Sequence, residues 1–193
     1  MRIDKQRQAD ILNSINELLK KRGVRGTAYL FGGSSLISQD IISRTTKDVD
    51  FFLLALNEFK EISDNIKAEM LKQFNVKVDI GLNGQFEIDA KGFTWILPSS
   101  AYSRATHIIK FSNLDIFALN PIDIVVLKCD RLDKKDQKDI ETILKTLRPD
   151  KNVLIELFEE YYKLLKGNPT SIDNIRENFH QLVLTIYDMV MKK

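Results

Sequence analysis

The segment Tyr29–Leu53, YLFGGSSLISQDIISRTTKDVDFFL, constrains the fold more than any other part of the chain. An apolar strand over Thr27–Phe31 runs into Gly32-Gly33-Ser34-Ser35, and a short helix over Ser35–Ile42 follows. A second strand opens at Asp48-Val49-Asp50 and continues to Leu56, almost wholly apolar after Asp50, as expected of a central strand covered on both faces. Residues two apart on a strand share a face, so Asp48 and Asp50 project together while Val49, Phe51 and Leu53 face the opposite side. Two neighbouring carboxylates repel unless something cationic lies between them. A hard divalent ion such as Mg²⁺ takes carboxylate and phosphate oxygens together. A glycine turn at a helix start offers backbone N–H groups to a phosphate. The combination points to phosphoryl or nucleotidyl transfer.

The rest of the chain alternates helices and strands. Ile11, Leu12, Ile15, Leu18 and Leu19 recur at helical spacing and predict a helix over 5–21, with Gly23 as its stop. Phe59, Ile62, Ile66 and Met70 predict a helix over 58–73, capped at Asn57. Val76–Ile80 alternates as a strand, 85–89 and 93–97 read as a hairpin, and 107–111 and 114–119 read as two further strands. Asn120-Pro121 is a helix start, with helices expected over 121–131 and 136–147. Beyond Asn152 the pattern is helical throughout, over 152–166 and 171–192, with no strand signal. Ile172, Ile175, Phe179, Leu182, Ile186, Met189 and Val190 form one stripe there. The expected division is 1–150 for an α/β domain and 151–193 for a helical unit packed on it.

Composition narrows the partners. The 193 residues include 44% hydrophobic side chains, enough for a sizeable core. A net charge of +2 gives no global basic field, which neither requires nor excludes RNA. A single cysteine, Cys129, rules out an intrachain disulfide framework and Cys₂ or Cys₄ zinc sites, and His107 and His180 lie far apart in sequence. No stretch at the N-terminus resembles a signal core and no run reaches transmembrane length, so a cytoplasmic protein without membrane contact is expected.

The order Gly-Gly-Ser, a spacer ending in Arg44-x-Thr46-Lys47, then Asp48-x-Asp50 resembles the polymerase-β-type nucleotidyltransferase superfamily, nearest to its minimal, AbiEii-like toxin-type branch. The resemblance covers roughly Thr27 to Leu147 and extends to Asn120–Ile140, NPIDIVVLKCDRLDKKDQKDI, where relatives carry s-P-x-D-L-h-x-x-K and K-D-x-x-D-h. It implies an α/β (α+β) fold: a mixed sheet flanked by helices, with a C-terminal helical extension. It also implies a metal-dependent enzyme that moves a nucleoside monophosphate from a triphosphate to a hydroxyl acceptor. The implied cofactor is Mg²⁺ or Mn²⁺, and the acceptor is an RNA such as tRNA, a protein or a small molecule. A toxin–antitoxin role, with an antitoxin or a second copy docking on the C-terminal helices, is one implied setting. The rival reading is a non-catalytic subunit of the same fold that binds a nucleotide or a partner.

The resemblance assigns catalysis and metal binding to Asp48, Asp50 and a third acid. Asp79 in Val-Lys-Val-Asp-Ile shares a strand face with Lys77 and is the first candidate, with Glu87, Asp89 and Asp115 as rivals. Gly32, Gly33 and Ser34 are candidates for phosphate; Ser34 as a plain helix cap fits the same turn. Arg44 and Lys47 would offset triphosphate charge or act as loop cations beside the aspartates. Tyr102 and Arg104 resemble a short Y-x-x-R segment with a spacing one shorter, and the favoured reading is a loop tyrosine with a surface arginine. Lys128 is a candidate for the triphosphate. It shares a helix face with Arg131, and Asp136 and Asp139, paired in the same way, read as their structural partners.

Overall fold

The computed structural model of the protein describes residues 2–55, 59–82, 85–88 and 93–192. In chain order its elements are α1 (Lys5–Lys21), β1 (Gly26–Leu30), α2 (Gly32–Ser38), β2 (Asp48–Ala55), α3 (Phe59–Phe74), β3 (Lys77–Leu82), β4 (Gln85–Ile88) and β5 (Phe93–Ile96). There follow α4 (Ser99–Arg104), β6 (Thr106–Lys110), β7 (Leu114–Ala118), α5 (Pro121–Leu127) and α6 (Lys134–Leu147). The chain ends in α7 (Lys151–Tyr162), β8 (Lys166–Gly167), α8 (Pro169–Asn178) and α9 (Leu184–Met191). The expected class, a mixed sheet flanked by helices, is what forms. The helix cap expected at Asn57 lies outside the described residues.

Two compact units are present, one of residues 1–84 and 104–119, the other of 85–103 and 120–193. The first holds five strands in the order β6-β7-β1-β2-β3. β1 runs antiparallel to β2 and parallel to β7, and β2 runs parallel to β3. One sheet face is apolar: Ala28, Leu30, Val49, Phe51, Leu53, Val78 and Ile116 pack with Ile11, Ile15 and Leu19 of α1 and Ile62, Ile66 and Met70 of α3. Each such large side chain removed from water contributes about 1.5–3 kcal/mol. α1 starts where Asp4 accepts a hydrogen bond from the N–H of Arg7 at 2.9 Å, and it stops before Gly23, whose φ is +67°. The opposite sheet face carries Asp48, Asp50, Phe52, Tyr29 and Phe117, because register partners share a face. There Tyr29 and Phe117 stack at 5.2 Å.

In the second unit β5 pairs antiparallel with both β4 and β8. The two-residue strand Lys166–Gly167 corrects the expectation of a strand-free C-terminal region. Two residues carry no alternation, so only the presence of β5 as a partner makes them a strand. Helix starts are capped by Asn120, Asp133, Asp150 and Asn168. Ser99–Arg104, expected as a loop, is the short helix α4. Phe158 and Phe179 stack at 3.9 Å in the core. Between α8 and α9 the backbone makes a π-turn over Phe179–Val183. Ile175 and Phe179 are buried; the wider turn then rotates the residues after it, so that Val183 and Val190 are buried while Leu182 and Met189 are 41% and 56% exposed. The expected single stripe is therefore divided between core and surface.

Candidate active site

Asp48, Asp50 and Asp79 come together at one end of the first unit's sheet, each half-buried. One carboxylate oxygen from each lies within 4.8 Å of the others. The parallel register of β2 and β3 does this: Asp48 stands opposite Lys77, and Asp50 opposite Asp79. All four side chains therefore point to the same face. Val49 and Phe51, on the other face, are fully buried and hold the strand against the core.

The glycine turn lies directly beside these acids. The N–H of Phe31 donates to the carbonyl of Asp50 at 3.0 Å. Gly32 has φ of +56°, the left-handed region that favours glycine, and a Cβ on it would stand 2.9 Å from Asp50 Oδ2. A Cβ on Gly33 would stand 3.2 Å from Thr46 Oγ1 and 3.6 Å from Arg44 Nη2. Both glycines thus make room, the first for a carboxylate and the second for the loop that carries Arg44. α2 begins at this turn, and the first N–H groups of a helix have no intrahelical acceptor.

Ser34 is fully buried. Its Oγ accepts from the N–H of Asp50 at 3.2 Å and lies 3.4 Å from the Asp48 carbonyl, to which it donates. The hydroxyl thus fastens α2 to the strand bearing the acids. Gln8 supports the same helix, donating to the Ser34 carbonyl at 3.1 Å and to Ser38 Oγ at 2.8 Å. Ser35 and Gln39 both donate to the Leu119 carbonyl, at 2.7 and 2.8 Å.

Among the described residues, Lys77 pairs with the cluster, Arg44 lies by the glycine turn, and Lys47 adjoins Asp48 in the chain. Arg44 lies over the turn and donates to the Thr45 carbonyl at 3.1 Å. Lys47 is exposed next to Asp48 in the chain. Lys77 places Nζ 2.9 Å from Asp79 Oδ1 and 3.0 Å from Oδ2. The hydrogen bond to Asp79 holds this ammonium above its usual range against the opposing effect of burial, and the charges of Asp79, Asp48 and Asp50 add to it.

The match to known proteins is decided by most of this chain. Residues 6–182 match the family model described as "Nucleotidyltransferase of unknown function (DUF6036)". The chain belongs to that family. No curated protein matches it. Among solved structures, the solution structure of the antibiotic-resistance factor ANT(2'')-Ia aligns at 12% identity over 98% of this chain and 100% of that chain, with a TM-score of 0.38.

The remaining candidates of this nucleotidyltransferase-family chain are placed as follows. Asp115 stands opposite Thr27 on β7, three residues from the Leu30–Ala118 pair at the acid-bearing end, about 10 Å at the rise of a strand. It is bonded to His107 Nε2 at 2.7 Å, with Lys110 at 3.9 Å. Asp89 lies outside the described residues, as does the side chain of Glu87. Lys128, in the second unit, is buried with Nζ bonded to Asp136 and 2.9 Å from Asp139 Oδ2. Arg131 Nε reaches Asp136 Oδ2 at 2.7 Å. Burial works against ionised Asp136, but the Arg131 hydrogen bond and the Lys128 charge outweigh it and hold the carboxyl below its usual range. The aspartates thus lock α5 and its following turn to α6, as their spacing implied.

Two residues at the acid cluster had no role assigned from sequence. Thr46 donates from Oγ1 to Asp48 Oδ1 at 2.9 Å and orients that carboxylate. Lys77 is the other, and its spacing of two from Asp79 was the available signal.

Proposed function

We propose that this protein is a metal-dependent nucleotidyltransferase. The observation that carries the reading is the clustering of Asp48, Asp50 and Asp79 beside the Gly32-Gly33 turn, in a chain of this family. Three carboxylates with oxygens within 4.8 Å of one another suit a hard divalent cation, Mg²⁺ or Mn²⁺. When bound, such an ion lowers the pKa of an attacking hydroxyl and neutralises charge developing on phosphoryl oxygens.

Asp48 and Asp50 would hold the metal, and Asp79 would complete the site from the neighbouring strand. The acceptor oxygen attacks the α-phosphorus of a nucleoside triphosphate. The α–β bridging bond breaks and pyrophosphate leaves, while the acceptor's proton passes to Asp79 or to solvent. N–H groups at the Gly32–Ser34 turn, with Arg44 and Lys47, face the triphosphate. The buried Ser34 hydroxyl keeps that turn fixed to Asp48 and Asp50. Positioned cations and N–H groups of this kind supply much of such catalysis by stabilising developing charge. We assign Lys128 to holding its two helices together, given its burial between Asp136 and Asp139.

The acceptor is an RNA, a protein hydroxyl or a small molecule, and an AbiEii-like toxin role falls within this reading. The position of Asp79 beside Asp48 and Asp50 supports catalysis over a binding subunit, whereas the C-terminal stripe, with Ile175, Phe179 and Val190 buried and Leu182 and Met189 exposed, favours neither. Among the described residues no helix is long and apolar enough to cross a membrane. The test is incorporation of α-³²P label from each NTP into total RNA and cell-extract protein, with Mg²⁺ or Mn²⁺. Label that appears with the native chain and not with the Asp48→Ala/Asp50→Ala variant supports transfer and shows the acceptor class. Nucleotide binding without label transfer would favour the binding-subunit reading.

A further inference from the structure

We propose that Lys77 is a built-in counter-ion of the acid cluster, which holds the Asp79 carboxylate in the free protein and yields it when a metal ion binds. The proposal rests on the metal-site reading above and concerns how that site is loaded. Three negative groups whose oxygens lie within 4.8 Å repel one another, and the fold supplies a positive charge among them. Lys77 is register partner of Asp48 and two residues from Asp79, so the strand pairing itself delivers its ammonium to this face. Nζ stands 2.9 and 3.0 Å from the two Asp79 oxygens.

At those distances the ammonium engages both oxygens from one side, so a metal ion binding Asp79 there meets a positive charge unless Lys77 moves aside. It is free to do so: the Lys77 side chain is 74% exposed, while Asp79 is only 25% exposed. A lysine on a flexible four-carbon stem swings at little cost. The released ammonium then lies beside the site that receives the anionic triphosphate and exchanges one anionic partner for another. Metal arriving alone must break the Lys77–Asp79 pair without that exchange. Lys77 therefore weakens metal binding to the free protein and couples metal loading to the nucleotide. It is a positioning residue for the metal site.

The experiment is Mn²⁺ titration followed by electron paramagnetic resonance, without nucleotide, on native protein, Lys77→Gln, Lys77→Arg and Asp48→Ala/Asp50→Ala. Removing one positive charge a few ångströms from a divalent ion in a solvated site is worth about tenfold in affinity. Lys77→Gln is expected to bind Mn²⁺ about tenfold more tightly than native, and Lys77→Arg to remain close to native. A melting temperature for each variant checks that folding is intact. Native and Lys77→Gln binding alike, with binding lost in the double aspartate variant, would overturn the Lys77 proposal and leave the metal site standing. No aspartate-dependent Mn²⁺ binding in native or Lys77→Gln protein would overturn the metal reading, and the Lys77 proposal with it.

Discussion

Asp50 and Asp79 are register partners across the parallel pairing of β2 and β3. Carboxylates directly opposite each other on one sheet face are destabilising when nothing lies between them. Asp48 joins this pair, and under the proposed function the gain of the arrangement lies in binding a cation rather than in stability.

Asp50→Asn should separate those two effects. The amide keeps the shape beside Gly32 and removes one of three clustered charges. We expect a melting temperature equal to or above native, with nucleotidyl transfer reduced by about 10²-fold or more. A thermal melt and a transfer assay on one preparation check both.

Gly32 and Gly23 form an internal comparison. Both have positive φ, +56° and +67°, so alanine at either costs about 1–2 kcal/mol of backbone strain. A Cβ at Gly23 meets nothing within 4 Å, whereas one at Gly32 stands 2.9 Å from Asp50 Oδ2. Gly23→Ala should lower stability and keep Mn²⁺ binding. Gly32→Ala should lower stability and displace Asp50, weakening Mn²⁺ binding as well. Urea melts and Mn²⁺ titrations on the two variants distinguish them.

Lys128→Met removes the cation between Asp136 and Asp139, both almost fully buried. Leaving buried carboxylates short of a partner costs about 3–5 kcal/mol. Denaturant unfolding should show this as a lower midpoint, with Arg131 still paired to Asp136.

Asp136 also sets a pH dependence. Its folded-state pKa is lowered, so its contribution to stability is present above the ordinary aspartate value. That contribution fades as pH falls through the lowered value in the folded state. Unfolding free energy measured from pH 7 down to pH 2 should decline at the acid end. The decline should be shallower in Asp136→Asn, which isolates this group from the other carboxylates.

The acid cluster was partly legible in the sequence. Alternation alone puts Asp48 with Asp50 and Lys77 with Asp79, because strand period is a local property. Joining the two pairs needed the parallel register of β2 and β3, a non-local fact. α1 and its stop at Gly23 were readable for the same local reason, through helical spacing and a left-handed glycine. The burial of Ser34 was not, because whether a turn hydroxyl faces solvent or strand depends on the approach of β2. The π-turn at Phe179–Val183 escaped because it breaks the 3.6-residue period on which the stripe was read.

The most direct measurement compares label position. NTP carrying ³²P at the α-phosphate, and separately at the γ-phosphate, is incubated with native protein, Mn²⁺ and cell extract. The account expects α-label on a macromolecule or small acceptor and γ-label released in pyrophosphate, both lost in Asp48→Ala/Asp50→Ala. Transfer of γ-label to the acceptor, or α-label transfer that survives loss of both aspartates, would contradict it.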